Sequence, residues 1–170
     1  MMRFCLLLLL CASPALAQDS ESAARTAAGC GPAAARFDVM TTKKQHPVPQ
    51  PDSGKAIVFF IEDIERGPTM RVGLDGSWIG ANKGKSYFFF SVDPGEHQLC
   101  TNWQSNHFKE TAKRIGSATT VIAEAGKTYY FRILIDGESA SRNIRLLPVE
   151  KAEAQFLISA SPLSTSHLKK

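Results

Sequence analysis

The sequence lacks most of the signatures that name an activity. It has no G-x-S-x-G nucleophile elbow, and its nearest approach, Gly137-Glu138-Ser139-Ala140-Ser141, misses the second glycine that lets a serine stand exposed on a sharp turn. It has no phosphate-binding loop. Gly80-Ala81-Asn82-Lys83-Gly84-Lys85-Ser86 puts three residues between its glycines where four are needed, and an aromatic strand follows where a helix should begin, so Asn82 and Gly84 read as turn residues. The four histidines, at 46, 97, 107 and 167, are scattered. A Ser, His and Asp triad is defined by geometry and could assemble from distant positions, but no spacing here favours one. His97 follows a Pro-Gly turn and reads as a structural histidine before a general base.

Charge of one sign is scarce too. Lys and Arg number 20 against 16 Asp and Glu, for a net charge of +4. Apart from Lys43-Lys44, Lys113-Arg114 and Lys169-Lys170 the basic residues stand singly among acids, which fits a solvated surface and not a nucleic-acid footprint. Nowhere do roughly 20 consecutive apolar residues occur, so no transmembrane segment is predicted.

What is present begins with a leader. Arg3, the apolar run Phe4 to Ala12 and the small-x-small site Ala15-Leu16-Ala17 read as a signal peptide over residues 1–17, with export to a periplasmic or extracellular compartment and a mature chain from Gln18. Removing 17 of 170 residues leaves 153, and losing Arg3 lowers the net charge from +4 to +3. Cys11 invites lipid attachment, but Leu10 stands where a small residue is required, so no lipid anchor is expected. Cys5 and Cys11 would leave with the leader. Cys30 and Cys100 remain, and an even pair in an oxidising compartment predicts a disulfide closing a loop of about 70 residues, which in the chain-entropy account contributes on the order of 4 kcal/mol. The competing assignment, a thiolate metal site with His97 or His107 beside Cys100, lacks the regular short spacing of three or four ligands.

The chain then divides into an Ala/Pro-rich segment and linker (18–54), a β-sandwich domain (55–158) and a serine-rich tail (159–170), flexible unless docked. A short strand is expected around Arg36 to Met40, and Gln45 to Pro51 alternates proline with other residues, as an extended connector does. Lys55 to Ile61 is apolar on both pleat faces and belongs in the middle of a fold. Met70, Val72 and Leu74 alternate with polar or small residues, Asp75-Gly76 offers a type I′ turn, and Ser77 to Ala81 should return. Tyr87 to Val92 and His97 to Trp103, joined by Asp93-Pro94-Gly95-Glu96, predict a second hairpin; Ala118 to Ala123 and Thr128 to Ile135 predict a third. Asn143 to Leu147 is a last strand, and Pro148 opens a helix with Val149, Ala152 and Phe156 as its apolar stripe. The fold class predicted is all-β, an antiparallel β-sandwich of about seven to eight strands with one C-terminal helix.

Two clusters could bind something. Glu62, Asp63 and Glu65 stand close enough to suggest calcium, yet lack the spaced ligands and glycine of a calcium loop and read as a solvated turn, so neither metal nor cofactor is expected. Tyr87 and Phe89 point to the opposite pleat face from Phe88, Phe90 and Val92. With Trp78 and Trp103 on neighbouring strands they could form an exposed ligand platform for a sugar or peptide, the alternative being that all four are core.

Asp75-Gly76-Ser77-Trp78-Ile79-Gly80, followed by Tyr87 to Leu99 with its Pro94-Gly95-Glu96-His97-Gln98-Leu99 return, resembles the bacterial family named domain of unknown function 2846, and also the shorter PEGA motif. The likeness extends over about residues 55 to 158 and includes Glu124-Ala125-Gly126-Lys127-Thr128-Tyr129-Tyr130-Phe131. This resemblance implies an envelope-associated β-sandwich, often lipid-anchored, with no catalytic residues to carry over; Leu10-Cys11 departs from the anchored pattern. The expected function is therefore a non-catalytic module binding another envelope component, protein or glycan. A carbohydrate-binding module and a hydrolase with a dispersed Ser/His/Asp site are the alternatives.

Overall fold

The computed structural model describes residues 30–32, 34–44, 46–104, 116–136 and 143–170. The leader, Cys11 and the alanine-rich stretch before Gly29 lie outside the described residues, as do His107 and the 137–142 turn. Within them run β1 (Phe37–Thr42), β2 (Ala56–Glu62), β3 (Thr69–Leu74), β4 (Ser77–Lys83), β5 (Ser86–Val92), β6 (Gly95–Trp103), β7 (Gly116–Ala123), β8 (Thr128–Asp136) and β9 (Asn143–Pro148), then helix α1 (Lys151–Ser159) and β10 (Leu163–Leu168). They form a six-stranded sheet in the order β1-β10-β5-β2-β8-β9 and a four-stranded sheet in the order β4-β3-β6-β7. This is the predicted all-β sandwich. It has ten described strands, and two pairings, β2 with β8 and β10 with β5, are parallel.

The Asp75-Gly76 hairpin forms as its residues require. Both have positive φ, 48° and 83°, and Leu74 pairs with Ser77 across a two-residue turn. The other two expected hairpins do not form within one sheet. β5 belongs to the six-stranded sheet and β6 to the other, so the turn at Asp93-Pro94 is a corner between layers; β7 and β8 are likewise split. The reason is burial. Strand β2 is buried along its whole length, and β5 carries aromatics on both faces, so each gains most by taking the other as a neighbour in the six-stranded sheet, in register from Ala56↔Val92 to Glu62↔Ser86.

Two apolar layers result. Between the sheets, Val58, Phe60, Met70, Val72, Leu99, Trp103 and Ile133 pack with Phe88 and Phe131. On the outer face of the six-stranded sheet, Ile57, Phe59, Ile61, Tyr87 and Tyr130 lie under Ala154 and Ile158 of α1. The proline-rich connector closes over the same face: Tyr87 donates its hydroxyl hydrogen bond to the Pro47 carbonyl (3.1 Å), and the His46 ring bonds the Ser161 carbonyl (2.8 Å).

Helix α1 differs from its expected form. Pro148 ends β9, the helix begins at Lys151, and its buried residues are Ala154 and Ile158; Phe156 is 73% exposed. Packing of Ala154 and Ile158 against Phe59 and Tyr130 sets the phase, and Arg132, which bonds Asp63 (2.5 Å) and Glu153 (3.0 Å), accompanies it at the edge. The 159–170 segment, expected to be flexible unless docked, is docked: β10 inserts between β1 and β5, pairing with β1 from Phe37↔Leu168 to Thr42↔Leu163. The sandwich thus takes in strands on both sides of the expected 55–158 span.

Candidate functional site

Of the residues singled out from the sequence, Cys30 and Cys100 come together as a disulfide with Cα atoms 5.7 Å apart. The bond fastens a strap, residues 30–36, across the outer face of the four-stranded sheet. Trp78 Nε1 donates to the Pro32 carbonyl (2.9 Å), Arg71 Nη1 to the Ala35 carbonyl (2.9 Å), and the Arg71 guanidinium lies 4.3 Å above the Trp78 ring. Burial, with Arg36 nearby, pulls the Arg71 guanidinium down to about 10. Gly73 makes this contact possible, because a Cβ there would stand 2.7 Å from Cys100 Sγ and 3.0 Å from the Cys30 carbonyl oxygen.

The aromatic platform does not assemble. Trp103 sits between the sheets at 4% exposure, Tyr87 is fully buried beneath α1 and the connector, Phe89 packs beside Phe59 on that same outer face, and Trp78 lies under the strap on the other sheet. Four rings on three surfaces cannot stack on one ligand. The pleat assigned Tyr87 and Phe89 correctly to one face; the cover supplied by α1 and residues 46–52 decides that they are core.

Polar residues gather instead at one end of the inter-sheet layer. Glu62 continues the inward phase of Ala56, Val58 and Phe60, so the last residue of β2 places its carboxyl inside the sandwich. Asn82 of β4, Ser86 of β5 and Ser164 of β10 share this end, and all four are buried. Asn82 Nδ2 donates to the carbonyls of Phe60 (3.3 Å) and Ser86 (3.2 Å). Ser86 Oγ accepts from Lys83 N (3.1 Å) and lies 2.8 Å from Ser164 Oγ. Both oxygens of Glu62 and Oδ1 of Asn82 have no hydrogen-bond partner among the described residues. Burial, reinforced by the neighbouring Asp63, pushes the Glu62 carboxyl up to about 9, so without a compensating charge it is a neutral acid at pH 7. The three acids of this turn part company: Glu62 points inward, Asp63 bonds Arg132, and Glu65 stands 3.7 Å from Lys85. Among the described residues no group of three or more His, Cys, Asp and Glu side chains converges.

The opposite end of the same strands carries a histidine clamp. His97 Nδ1 is 2.7 Å from Asp75 Oδ2 and Nε2 is 2.8 Å from the Asp93 carbonyl oxygen, while Gln98 N donates to Asp75 Oδ1 (2.8 Å). The hydrogen bond to Asp75 leads in raising the His97 pKa, followed by that to the Asp93 carbonyl. Hydrogen bonds from His97 and from the Gln98 amide outweigh burial and lower Asp75. The D-G turn and the P-G-x-H return are thereby tied together, and the ring is occupied at both nitrogens.

Sequence reasoning took Glu62 for part of a solvated turn and Asn82 for a turn residue. The pleat count from Ala56 held the signal for Glu62. Nothing local marks Asn82 or Ser164, whose partners lie on other strands.

A two-sheet sandwich cornered at Asp93-Pro94 and clamped by His97 is the class that fold and site define. The chain belongs to the family described as protein of unknown function (DUF2846), which matches residues 52–144 and so takes in Glu62, Asn82, Ser86 and His97. Cys30, α1 and β10 lie outside the matched span. No curated protein and no solved structure matches the chain, and no helix among the described residues is long and apolar enough to cross a membrane.

Proposed function

We propose that this chain is an exported, non-catalytic β-sandwich module that binds another component of the cell envelope, a protein or a glycan. The observation that carries the proposal is the Cys30–Cys100 bond and the strap it fastens. A structural disulfide closing a loop of 70 residues persists in an oxidising compartment and is rare in a reducing one, which agrees with the leader read in residues 1–17. The occupied ring of His97 supports the non-catalytic part: its Nε2 faces a backbone carbonyl, where a general base would need a free lone pair. With Tyr87 and Trp103 in the core, a glycan would be held by other means than stacking on the four rings expected from sequence.

The test is photocrosslinking of the full chain in its native host, with a crosslinking residue placed at Met40, Ile122 or Phe156, exposed by 60%, 69% and 73% on three separate elements. A discrete adduct in the envelope fraction from one face and not the others is expected. Recovery of the chain from the cytoplasm with both thiols free, or the absence of an adduct from every face, overturns the proposal.

A further inference from the structure

We propose that the buried end of the sandwich beside the 63–68 loop is a binding site for one hard cation of the calcium type, held by the Glu62 carboxylate and the Asn82 side-chain carbonyl. The case rests on which atoms lack partners. Glu62 Oε1, Glu62 Oε2 and Asn82 Oδ1 are buried without a hydrogen bond among the described residues, and both side chains are at 0% exposure. With Glu62 ionised all three are acceptors. Leaving such a group unmet is costly, more so when it is charged, so a fold that gathers three of them at one end calls for a species that attracts oxygen. One proton on Glu62 creates a single donor; one cation satisfies all three oxygens together.

The orientation of Asn82 is fixed by its other half. Its Nδ2 donates to two carbonyls, and exchanging amide nitrogen and oxygen would press Oδ1 against both of them, so Oδ1 is the atom turned elsewhere. Register places the two residues at the same end of the layer: Glu62 is paired with Ser86, and Asn82 reaches the carbonyl of that same Ser86 and of Phe60, two residues before Glu62 on the same face. Ser86 Oγ is fully used, donating to the Gly84 carbonyl and accepting from Lys83 N and Ser164 Oγ, whereas the Ser164 hydroxyl keeps its lone pairs as a neutral oxygen in this layer. Asp63 and Glu65 are engaged by Arg132 and Lys85, which leaves Glu62 as the carboxylate that can turn to a cation here. Gly67 packs against the Glu62 carboxyl with no room for a side chain. A site with one carboxylate belongs with the weak calcium sites, with dissociation constants of about 0.1–1 mM.

The full disulfide-bonded chain, freed of metal with chelator, is melted with calcium, magnesium or sodium chloride at constant ionic strength. Calcium at about 10 mM is expected to raise the melting temperature by about 3–5 °C in a saturable way, with magnesium weaker and sodium ineffective. Glu62→Gln should abolish the calcium shift. Terbium luminescence excited through tryptophan and quenched by added calcium gives a second readout on the unsubstituted chain, independent of whether the variant folds. No response to calcium by either readout, a response to sodium alone, or an equal calcium shift in a folded Glu62→Gln chain overturns the proposal.

Discussion

His97 faces an acceptor from each ring nitrogen, and only the imidazolium can donate to both. Its folded pKa is raised above the ordinary 6.5, so the clamp contributes its full stability below that value and loses it as the pH rises through the raised pKa. Urea unfolding at pH 5.5 and 8.5 should show a stability difference of about 1 kcal/mol that His97→Gln removes, the variant being weaker at the lower pH and nearly level at the higher. Gly73 is the other single position on which a contact turns. Gly73→Ala sets a methyl against Cys100 Sγ and the Cys30 backbone; it should cost about 1–3 kcal/mol by overpacking and slow closure of the disulfide, read by thiol titration during refolding. At this scale the sequence was legible where a pleat count reached: the same alternation that put Phe60 inside puts Glu62 inside, although composition alone marks it as a surface acid. It was illegible where a partner came from afar, as with Asn82 and the carbonyl of Phe60.

Among the elements, strand positions were readable because period-2 alternation is local, and sheet membership was not because it is settled by competition for neighbours. Tyr87 to Phe90 reads equally well as half of a hairpin with β6. What moves β5 into the other sheet is β2, apolar on both faces and buried throughout, some 25 residues upstream. The helix makes the same point in reverse. A stripe through Val149, Ala152 and Phe156 is as good on a helical wheel as one through Ala154 and Ile158, and the rings of Phe59 and Tyr130 on the sheet beneath take the second. Ile158→Ala should therefore cost about 2–4 kcal/mol, while Phe156→Ser should stay within about 0.5 kcal/mol, both measured by urea denaturation.

Over the whole molecule, two long-range ties hold the N-terminal segment: the disulfide to β6 and the pairing of β1 with β10. Replacing both Cys30 and Cys100 with serine should lower stability by about 4 kcal/mol, as measured against the oxidised chain in urea, with the β-sheet circular dichroism of the folded state retained. β1 keeps its pairing with β10 in that variant and is held as well by Gln104, whose side chain brackets the Phe37 backbone with bonds of 2.6 and 2.8 Å. Because β10 lies between β1 and β5, a strand from residues 163–168 is wedged between two that come much earlier in sequence. A nascent chain that has emerged only as far as α1 has no wedge, so β1 has no neighbour to pair with in the six-stranded sheet and that sheet stays ajar. Closure of this sheet therefore waits on residues 163–168, and a change that unseats them would be felt at β1, far away in sequence.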